Sequence, residues 1–201
     1  VGDFGNIIFD VLGILTQVFT RDVAGFGADA VTTGPGNDII LGGAGTDNIN
    51  AADGNNVVAG DFAQIDMYDS RLSKFVSLAA GSGHGDVIQV GNGNDTVIAN
   101  DGADQVTASG GNNLLIGDHA MLMYHANGEL QKVESTSPTA GDIDTILSGF
   151  GQDLVIAGHD SDSITIAGGD NIVIGDNGEM IFDDTTILRE LRNATPTDGG
   201  S

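Results

Sequence analysis

The sequence predicts an all-β fold in which short parallel strands stack into a narrow β-solenoid, with a β-hairpin inserted about every 58 residues. Three observations predict it. Glycine, an acid or amide, and an aliphatic recur with a nine-residue period. Gly-Asp pairs at Gly2-Asp3, Gly60-Asp61, Gly117-Asp118 and Gly175-Asp176 add a longer period, with spacings of 58, 57 and 58. The 201 residues include 32 Gly and 8 Phe but no Trp, so large side chains are too few for a conventional layered core.

The nine-residue unit is plainest from Gly34 to Gly60, which reads GPGNDIILG, GAGTDNINA and ADGNNVVAG; GFGADAVTT precedes it. The fifth positions of this first block of four units are Asp29, Asp38, Asp47 and Asn56. A second block has Asp86, Asp95, Asp104 and Asn113, and a third has Asp144, Asp153, Asp162 and Asn171. Two residues beyond each stands an aliphatic, in all twelve units: Val31, Ile40, Ile49, Val58, Ile88, Val97, Val106, Leu115, Ile146, Val155, Ile164 and Val173. One inward aliphatic per short strand fills a narrow interior, and the glycines supply turns and close backbone approach.

Between blocks lie segments of about 22 residues that read as hairpins. The clearest runs AMLMYH, then Ala126-Asn127-Gly128-Glu129, then LQKVEST; Asn-Gly between extended runs is a strong hairpin signal. Thr186 to Asn193 looks helical, but its place in the repeat makes it a hairpin strand. Units two and four of each block carry apolar flanks, as in Ile39 and Leu41 or Leu154 and Ile156. Unit three carries polar ones, such as Asn48 and Asn50. If alternate units form opposite sheets, one sheet is greasy outside and the other wet. The hairpin rows Ile7 and Phe9, Ile65 and Met67, Leu122 and Tyr124, and Met180 and Phe182 are expected to cover the greasy one. The chain then divides as one continuous array over 1–201: hairpin plus block at 1–60, 61–117 and 118–175, and a terminal hairpin at 176–201. It opens on Val, has no signal-peptide pattern and begins and ends within a repeat, which reads as a segment of a longer protein.

Acids outnumber bases 29 to 6, for a formal net charge of −23. Nucleic acid and anionic membrane surfaces need Lys and Arg and are poor partners; no apolar run is long enough for a membrane span. A solvated acidic surface is the bland reading, but nine Asp occupy one register of the repeat, which favours bound cations. Carboxylates stacked one turn apart, about 4.8 Å in a solenoid, repel without a cation between them. With no Cys and no His cluster, soft metals are excluded. Ca²⁺ wants six to eight oxygens and tolerates carbonyls, whereas Mg²⁺ demands an octahedron and holds its waters.

Units such as GPGNDIILG, GNGNDTVIA and GFGQDLVIA resemble the calcium-binding nonapeptide of the RTX (repeats-in-toxin) family, Gly-Gly-x-Gly-x-Asp-x-aliphatic-x. The resemblance covers twelve units of nine, about 108 residues. The Gly-Asp-x-Gly hairpin starts, GDFGNIIFD and GDNGEMIFD, look like a variant found in very large bacterial surface proteins. The resemblance implies a right-handed parallel β-roll with two nonapeptides per turn and several Ca²⁺ ions between successive turns. Carried over by position, it pairs Asp29 with Asp47, Asp38 with Asn56, Asp86 with Asp104, Asp95 with Asn113, Asp144 with Asp162 and Asp153 with Asn171. Carbonyls near Gly25, Gly27, Gly34, Gly36, Gly43, Gly45, Gly91, Gly93, Gly102, Gly149 and Gly151 would complete the shells. Departures stand at position three (His84, Asp142, Asp160) and position one (among them Ser82 and Asn100). Asn keeps an oxygen but loses a charge, so sites at Asn56, Asn113 and Asn171 are expected to be weaker or empty. Asp61, Asp118 and Asp176 either bind a further ion or cap the strand-to-hairpin junction.

No enzyme is expected. His84 and His159 fall in turns, and His119 and His125 share a hairpin at the spacing of surface residues. No Gly-x-Ser-x-Gly elbow surrounds a Ser, and no helical pattern follows the Gly-x-Gly stretches. The expected function is structural: a calcium-folded spacer, filament or adhesin stalk of a large secreted or cell-surface bacterial protein, with type I secretion implied by the family resembled. Rival readings are an S-layer or filament subunit stacking end to end on its own copies, a carbohydrate- or ice-binding surface, and the non-catalytic tail of a secreted enzyme or toxin.

Overall fold

A computed structural model describes residues 5–20, 27–78, 81 and 83–193. The described residues form twenty strands and no helix. The first repeat gives β1 (Gly5–Phe9), β2 (Leu15–Thr20), β3 (Ala30–Thr32), β4 (Ile39–Leu41), β5 (Asn48–Ala51) and β6 (Val57–Ala59). The second gives β7 (Ala63–Tyr68), β8 (Arg71–Ser77), β9 (Val87–Asn92), β10 (Thr96–Ile98), β11 (Gln105–Gly110) and β12 (Leu114–Ile116). The third gives β13 (Ala120–Tyr124), β14 (Leu130–Ser135), β15 (Thr145–Phe150), β16 (Leu154–Ile156), β17 (Ser163–Gly168) and β18 (Ile172–Ile174). A last hairpin, β19 (Gly178–Phe182) and β20 (Leu188–Asn193), follows, so the helical-looking stretch at 186–193 is largely strand.

These strands make three sheets. Units one and three of every block pair in parallel as β3-β5-β9-β11-β15-β17, and units two and four as β4-β6-β10-β12-β16-β18. The chain therefore changes sheet with every nonapeptide, two nonapeptides making one full turn. The aliphatics lie in register: Ile49 beside Ile88, Ile88 beside Val106, and Val106 beside Ile146 in one sheet. In the other, Val58 pairs Val97, Val97 pairs Leu115, and Leu115 pairs Val155. Their side chains, with Ala51, Val90, Ala99, Ala108 and Ala157, form one buried cluster between the sheets. Only at the ends of the stack does the row open; Val173, on the last strand, is 45% exposed.

The four hairpins join edge to edge into an antiparallel sheet, β1-β2-β7-β8-β13-β14-β19-β20. Each has a register shift at the equivalent place, after Ile8, Asp66, Met123 and Ile181. The Asn-Gly hairpin closes through residues 125–129, with Gly128 at φ 91° and its N–H bonded to His125 O. Ile65, Phe75, Leu122, Val133, Met180 and Phe182 of this sheet pack on Leu41, Ile98, Leu114, Ile116 and Ile156, the outward residues of the greasy parallel sheet, in a second buried cluster. The hairpins are thus a third layer. The expected cover fails at one place: Ile7 and Phe9 are each 57% exposed, because β1 is the outermost strand of the hairpin sheet and no turn among the described residues lies beneath it.

Candidate metal centre: two ladders of stacked carboxylates

A turn precedes each parallel strand, so alternation between sheets sends the fifth positions to two opposite edges. On one edge the predicted pairs meet: the N–H of Asp29 donates to Asp47 Oδ1 at 2.7 Å, that of Asp86 to Asp104 Oδ1 at 2.6 Å, and that of Asp144 to Asp162 Oδ1 at 2.9 Å. On the other, Asp38 donates to Asn56 Oδ1 at 3.1 Å, Asp95 to Asn113 at 3.0 Å, and Asp153 to Asn171 at 2.8 Å. The rungs also continue past the hairpins, which the sequence reading missed. Asp47 N–H donates to Asp86 Oδ1 at 2.7 Å and Asp104 N–H to Asp144 Oδ1 at 2.9 Å. Asn56 and Asn113 bond Asp95 and Asp153 in the same way, both at 2.9 Å. One edge is a column of six Asp; the other alternates Asp and Asn.

The two columns share some unpartnered outer oxygens, since Oδ2 of Asp38 and Asp95 on the Asp/Asn edge is buried without a hydrogen-bond partner too, but they differ in how much of the remaining space side-chain amides fill. On the all-Asp edge, Oδ2 of Asp29, Asp86, Asp104, Asp144 and Asp162 is buried without a hydrogen-bond partner. An ionised oxygen held dry and unpaired is strongly unfavourable. A Cβ added at Gly60 would collide with Asp86 Oδ2 and Ala99 O together, and one at Gly117 with Asp144 Oδ2 and Ala157 O. One at Gly42 would collide with Asp47 Oδ2 and Gly60 O. Each such cradle pairs a carboxylate oxygen with a backbone carbonyl, the donor set of a hard cation.

On the other edge the Asn side chains already occupy the equivalent space. Asn56 Nδ2 donates to Ala52 O at 3.0 Å, Gly54 O at 3.2 Å and Asp95 Oδ1 at 2.9 Å. Asn113 Nδ2 reaches Gly111 O and Asp153 Oδ1, both at 3.1 Å, and Ser148 Oγ donates to Asp153 Oδ2 at 2.8 Å. An amide N–H thus serves Oδ1 of Asp95 and of Asp153 and the nearby carbonyls, taking up part of the space a cation would use, while Oδ2 of Asp38 and Asp95 stays without a partner.

Electrostatics separate the edges too. Burial pushes the Asp86 and Asp144 carboxyls up to about 8, with the charges of Asp47 and Asp162 adding to it respectively. Asp104 is raised well above the ordinary range, by burial and then by Asp144. Burial also raises Asp95, opposed by the hydrogen bonds from Asn56. Every Lys and Arg among the described residues, Arg71, Lys74, Lys132, Arg189 and Arg192, lies on a hairpin strand. The described residues of the parallel sheets and their turns hold no internal counter-ion of that kind.

The carbonyls of Gly27, Gly36, Gly93 and Gly151 face the next turn, against Gly45, Gly54, Gly111 and Gly169. Gly43 uses its N–H on Gly60 O at 3.0 Å. Gly45, Gly91, Gly102 and Gly149 pack on the backbone of the turn before, and Gly34 faces open space. Gly25 lies outside the described residues. The carbonyls of Ala99 and Ala157 were missed, since no side chain marks a carbonyl that turns inward. At position one Asn100 adopts φ 83° and at position three Asp160 adopts φ 73°, the left-handed conformation that Asn and Asp tolerate best after Gly. His119 is not a surface residue: it is 2% exposed and its Nε2 lies 2.7 Å from Asp101 Oδ1. Among the described residues no three His, Asp or Glu side chains converge on one point, so any shell here draws on backbone carbonyls.

Residues 23–58 and 80–115, the first two blocks, match the family described as the RTX calcium-binding nonapeptide repeat, in four copies. The third block lies outside the match, although its strands and rungs continue the same columns. Comparison with curated proteins and with solved structures gave no match.

Proposed function

Taking residues 23–58 and 80–115 as members of the RTX calcium-binding nonapeptide repeat family, we propose that the chain is a calcium-folded structural module, a right-handed β-roll or β-solenoid carrying a layer of hairpins. The observation that carries this reading is the all-Asp column, where the dry, unpartnered Oδ2 atoms of Asp29, Asp86, Asp104, Asp144 and Asp162 lie on the turns of the parallel strands, with carbonyls beside those of Asp86 and Asp144, while every described Lys and Arg is on a hairpin strand. Asp29, Asp47, Asp86, Asp104, Asp144 and Asp162 hold several Ca²⁺ ions with carbonyls such as those of Ala99 and Ala157. Asp38, Asp95 and Asp153, partnered by Asn56, Asn113 and Asn171, hold them weakly or not at all. Ca²⁺ supplies charge neutralisation and oxygen coordination; the chain supplies the positioned carboxylates and excludes water from them.

The array is one continuous unit of three hairpin-plus-block repeats and a terminal hairpin. It belongs to a large secreted or cell-surface bacterial protein, as a stiff spacer, filament or adhesin stalk without catalysis of its own, exported unfolded by type I secretion. Binding only the native state, calcium contributes folding free energy that a one-residue-thick core lacks. No helix among the described residues is long and apolar enough to cross a membrane, and the acidic charge disfavours nucleic acid as a partner. The alternative of a non-catalytic region within a secreted enzyme or toxin uses the same chemistry.

A second reading, end-to-end association, draws on the sheet ends. Strands β1, β3 and β4 edge the sheets at one end and β20, β17 and β18 at the other, and Ile7, Ile8 and Phe9 are exposed on β1. A further repeat, from the same protein or a second copy, would meet an internal interface already used between repeats.

Small-angle scattering tests the main reading. In millimolar Ca²⁺ the radius of gyration should approach that of a compact chain of this length, about 17 Å or somewhat more for an elongated roll. In chelator it should rise toward the unfolded value of about 48 Å. A compact profile in both solutions would overturn it.

A further inference from the structure

Each described hairpin start follows a Gly-Asp pair, and two of those carboxylates, Asp61 and Asp118, are buried yet stand outside both columns: they are 1% and 2% exposed. One oxygen of each is held by the backbone of the next turn. Asp101 N–H donates to Asp61 Oδ2 at 3.2 Å, and His159 N–H donates to Asp118 Oδ2. The N–H groups of His84 and Asp142 serve the same two carboxylates. Residues 84 and 142 are equivalent in the long repeat, as are 101 and 159, so the fold builds one socket twice.

In both sockets the other oxygen, Oδ1, is buried with no hydrogen-bond partner. Backbone N–H donors favour the ionised carboxylate, whereas burial beside other acids disfavours it, so a cation at the unpartnered oxygen is what would let the buried carboxylate stay charged. None is supplied among the described residues: no Lys or Arg of the described ion pairs reaches Asp61 or Asp118, and His119 pairs with Asp101 instead. The charges of the described residues that act on them are negative, Asp86 and Asp101 on Asp61, and Asp144 and Asp162 on Asp118. Asp86 and Asp144 bring their own unpartnered Oδ2 atoms. Glycines wall the sockets. A Cβ at Gly83 would collide with Asp61, and one at Gly141 or Gly158 with Asp118. The room left suits an ion or a water, not a side chain.

We propose that Asp61 with Asp86, and Asp118 with Asp144, each form a further Ca²⁺ site at the junction where a hairpin leaves the roll, outside the nonapeptide register. Two carboxylates, backbone carbonyls and water make up the six to eight oxygens. An ion there ties the start of a hairpin to the roll turn that follows it, so calcium fixes the hairpin layer as well as the stack. Asp176 holds the same repeat position at the last junction but is only half-buried, and it carries no such site. The inference rests on the calcium reading of the columns.

Crystals grown in Ca²⁺ test both, separately. Anomalous peaks within about 2.6 Å of Asp61 Oδ1 and Asp118 Oδ1, and none beside Asp176, are expected. Peaks along the columns with none at Asp61 and Asp118 would overturn this proposal alone; no peak anywhere would overturn the calcium reading beneath it. In solution, calorimetric titration of the Asp61→Asn/Asp118→Asn double variant, which keeps shape and an acceptor for the N–H donors, should count two fewer Ca²⁺ than the unsubstituted chain. Unchanged stoichiometry, or an equal loss from Asp176→Asn, would refute the junction sites.

Discussion

The contrast between the two edges makes Asn113→Asp the most informative substitution in the chain. Asn113 Oδ1 accepts the Asp95 N–H at 3.0 Å, and a carboxylate keeps that bond. What it loses is the amide: Nδ2 donates to Gly111 O and to Asp153 Oδ1, each at 3.1 Å. The first is a neutral hydrogen bond, contributing about 0.5–1.5 kcal/mol, and the second is charge-assisted, about 1.5–3 kcal/mol. Their loss, with a second carboxylate now facing Asp153, costs roughly 2–4 kcal/mol when no ion is present. For a chain of this size that corresponds to roughly 5–15 °C in melting temperature. The same change puts a carboxylate oxygen in place of the amide nitrogen, facing Gly111 O and Asp153 Oδ1, so that three oxygens converge as in the cradles on the all-Asp edge. Ca²⁺ at a hundred times its dissociation constant returns about 2.7 kcal/mol, enough to offset most of the deficit.

The assay is thermal unfolding by circular dichroism over a calcium series, from the lowest concentration that folds the unsubstituted chain to about 10 mM, alongside a calorimetric ion count. The melting temperatures should lie far apart at low calcium and converge at high calcium, with one more ion bound by Asn113→Asp. A deficit that stays constant across the series, with no added ion, would refute the idea that the amide stands in for a cation.

Three further predictions follow the same physics. Because burial raises Asp86 and Asp144 to about 8 and Asp61 and Asp118 to about 9 in the calcium-free fold, their stabilising contribution is complete below the unfolded value near 3.8 and is lost as pH rises through 8 to 9; in chelator, acidification from pH 9 toward 4 should therefore restore β-structure, and a chelated chain equally unfolded at both ends of that range would contradict the burial of these groups. Gly60→Ala places a methyl against Asp86 Oδ2 and Ala99 O and should remove at least one bound ion and raise the calcium midpoint about tenfold or more, whereas Gly34→Ala, with open space around it, should leave both unchanged in calorimetric titration. Phe75→Ala empties a fully buried position in the hairpin layer and should cost about 3–5 kcal/mol in denaturant unfolding with calcium present, without altering the number of ions bound, since Phe75 touches neither column.

Much of this was legible in the sequence because a stacked repeat writes its contacts at fixed spacing. Asp29 and Asp47, or Val97 and Leu115, are 18 residues apart and lie one above the other. The continuation past a hairpin was not legible: Asp47 meets Asp86 across 39 residues and Asp104 meets Asp144 across 40, so inserted chain hides the neighbour. The hairpin layer was anticipated from its apolar rows, but Ile7 and Phe9 are as apolar as Met180 and Phe182, and only the turn beneath decides which pair is buried. His119 was misread for a related reason, since its partner Asp101 arrives from a turn of the roll and not from its own hairpin. Carbonyl ligands such as Ala99 O leave no trace in residue identity at all.

The central claim is that calcium, and not the thin aliphatic core, decides whether this chain folds. Far-ultraviolet circular dichroism of the whole chain during a Ca²⁺ titration, with Mg²⁺ as the control, tests it most directly. The account predicts a cooperative transition from coil to β-structure at roughly millimolar Ca²⁺ and none with Mg²⁺, which keeps its waters and its octahedron. β-Structure that persists unchanged in excess chelator at neutral pH would contradict it, and would mean that the two buried clusters hold the molecule together without the ion.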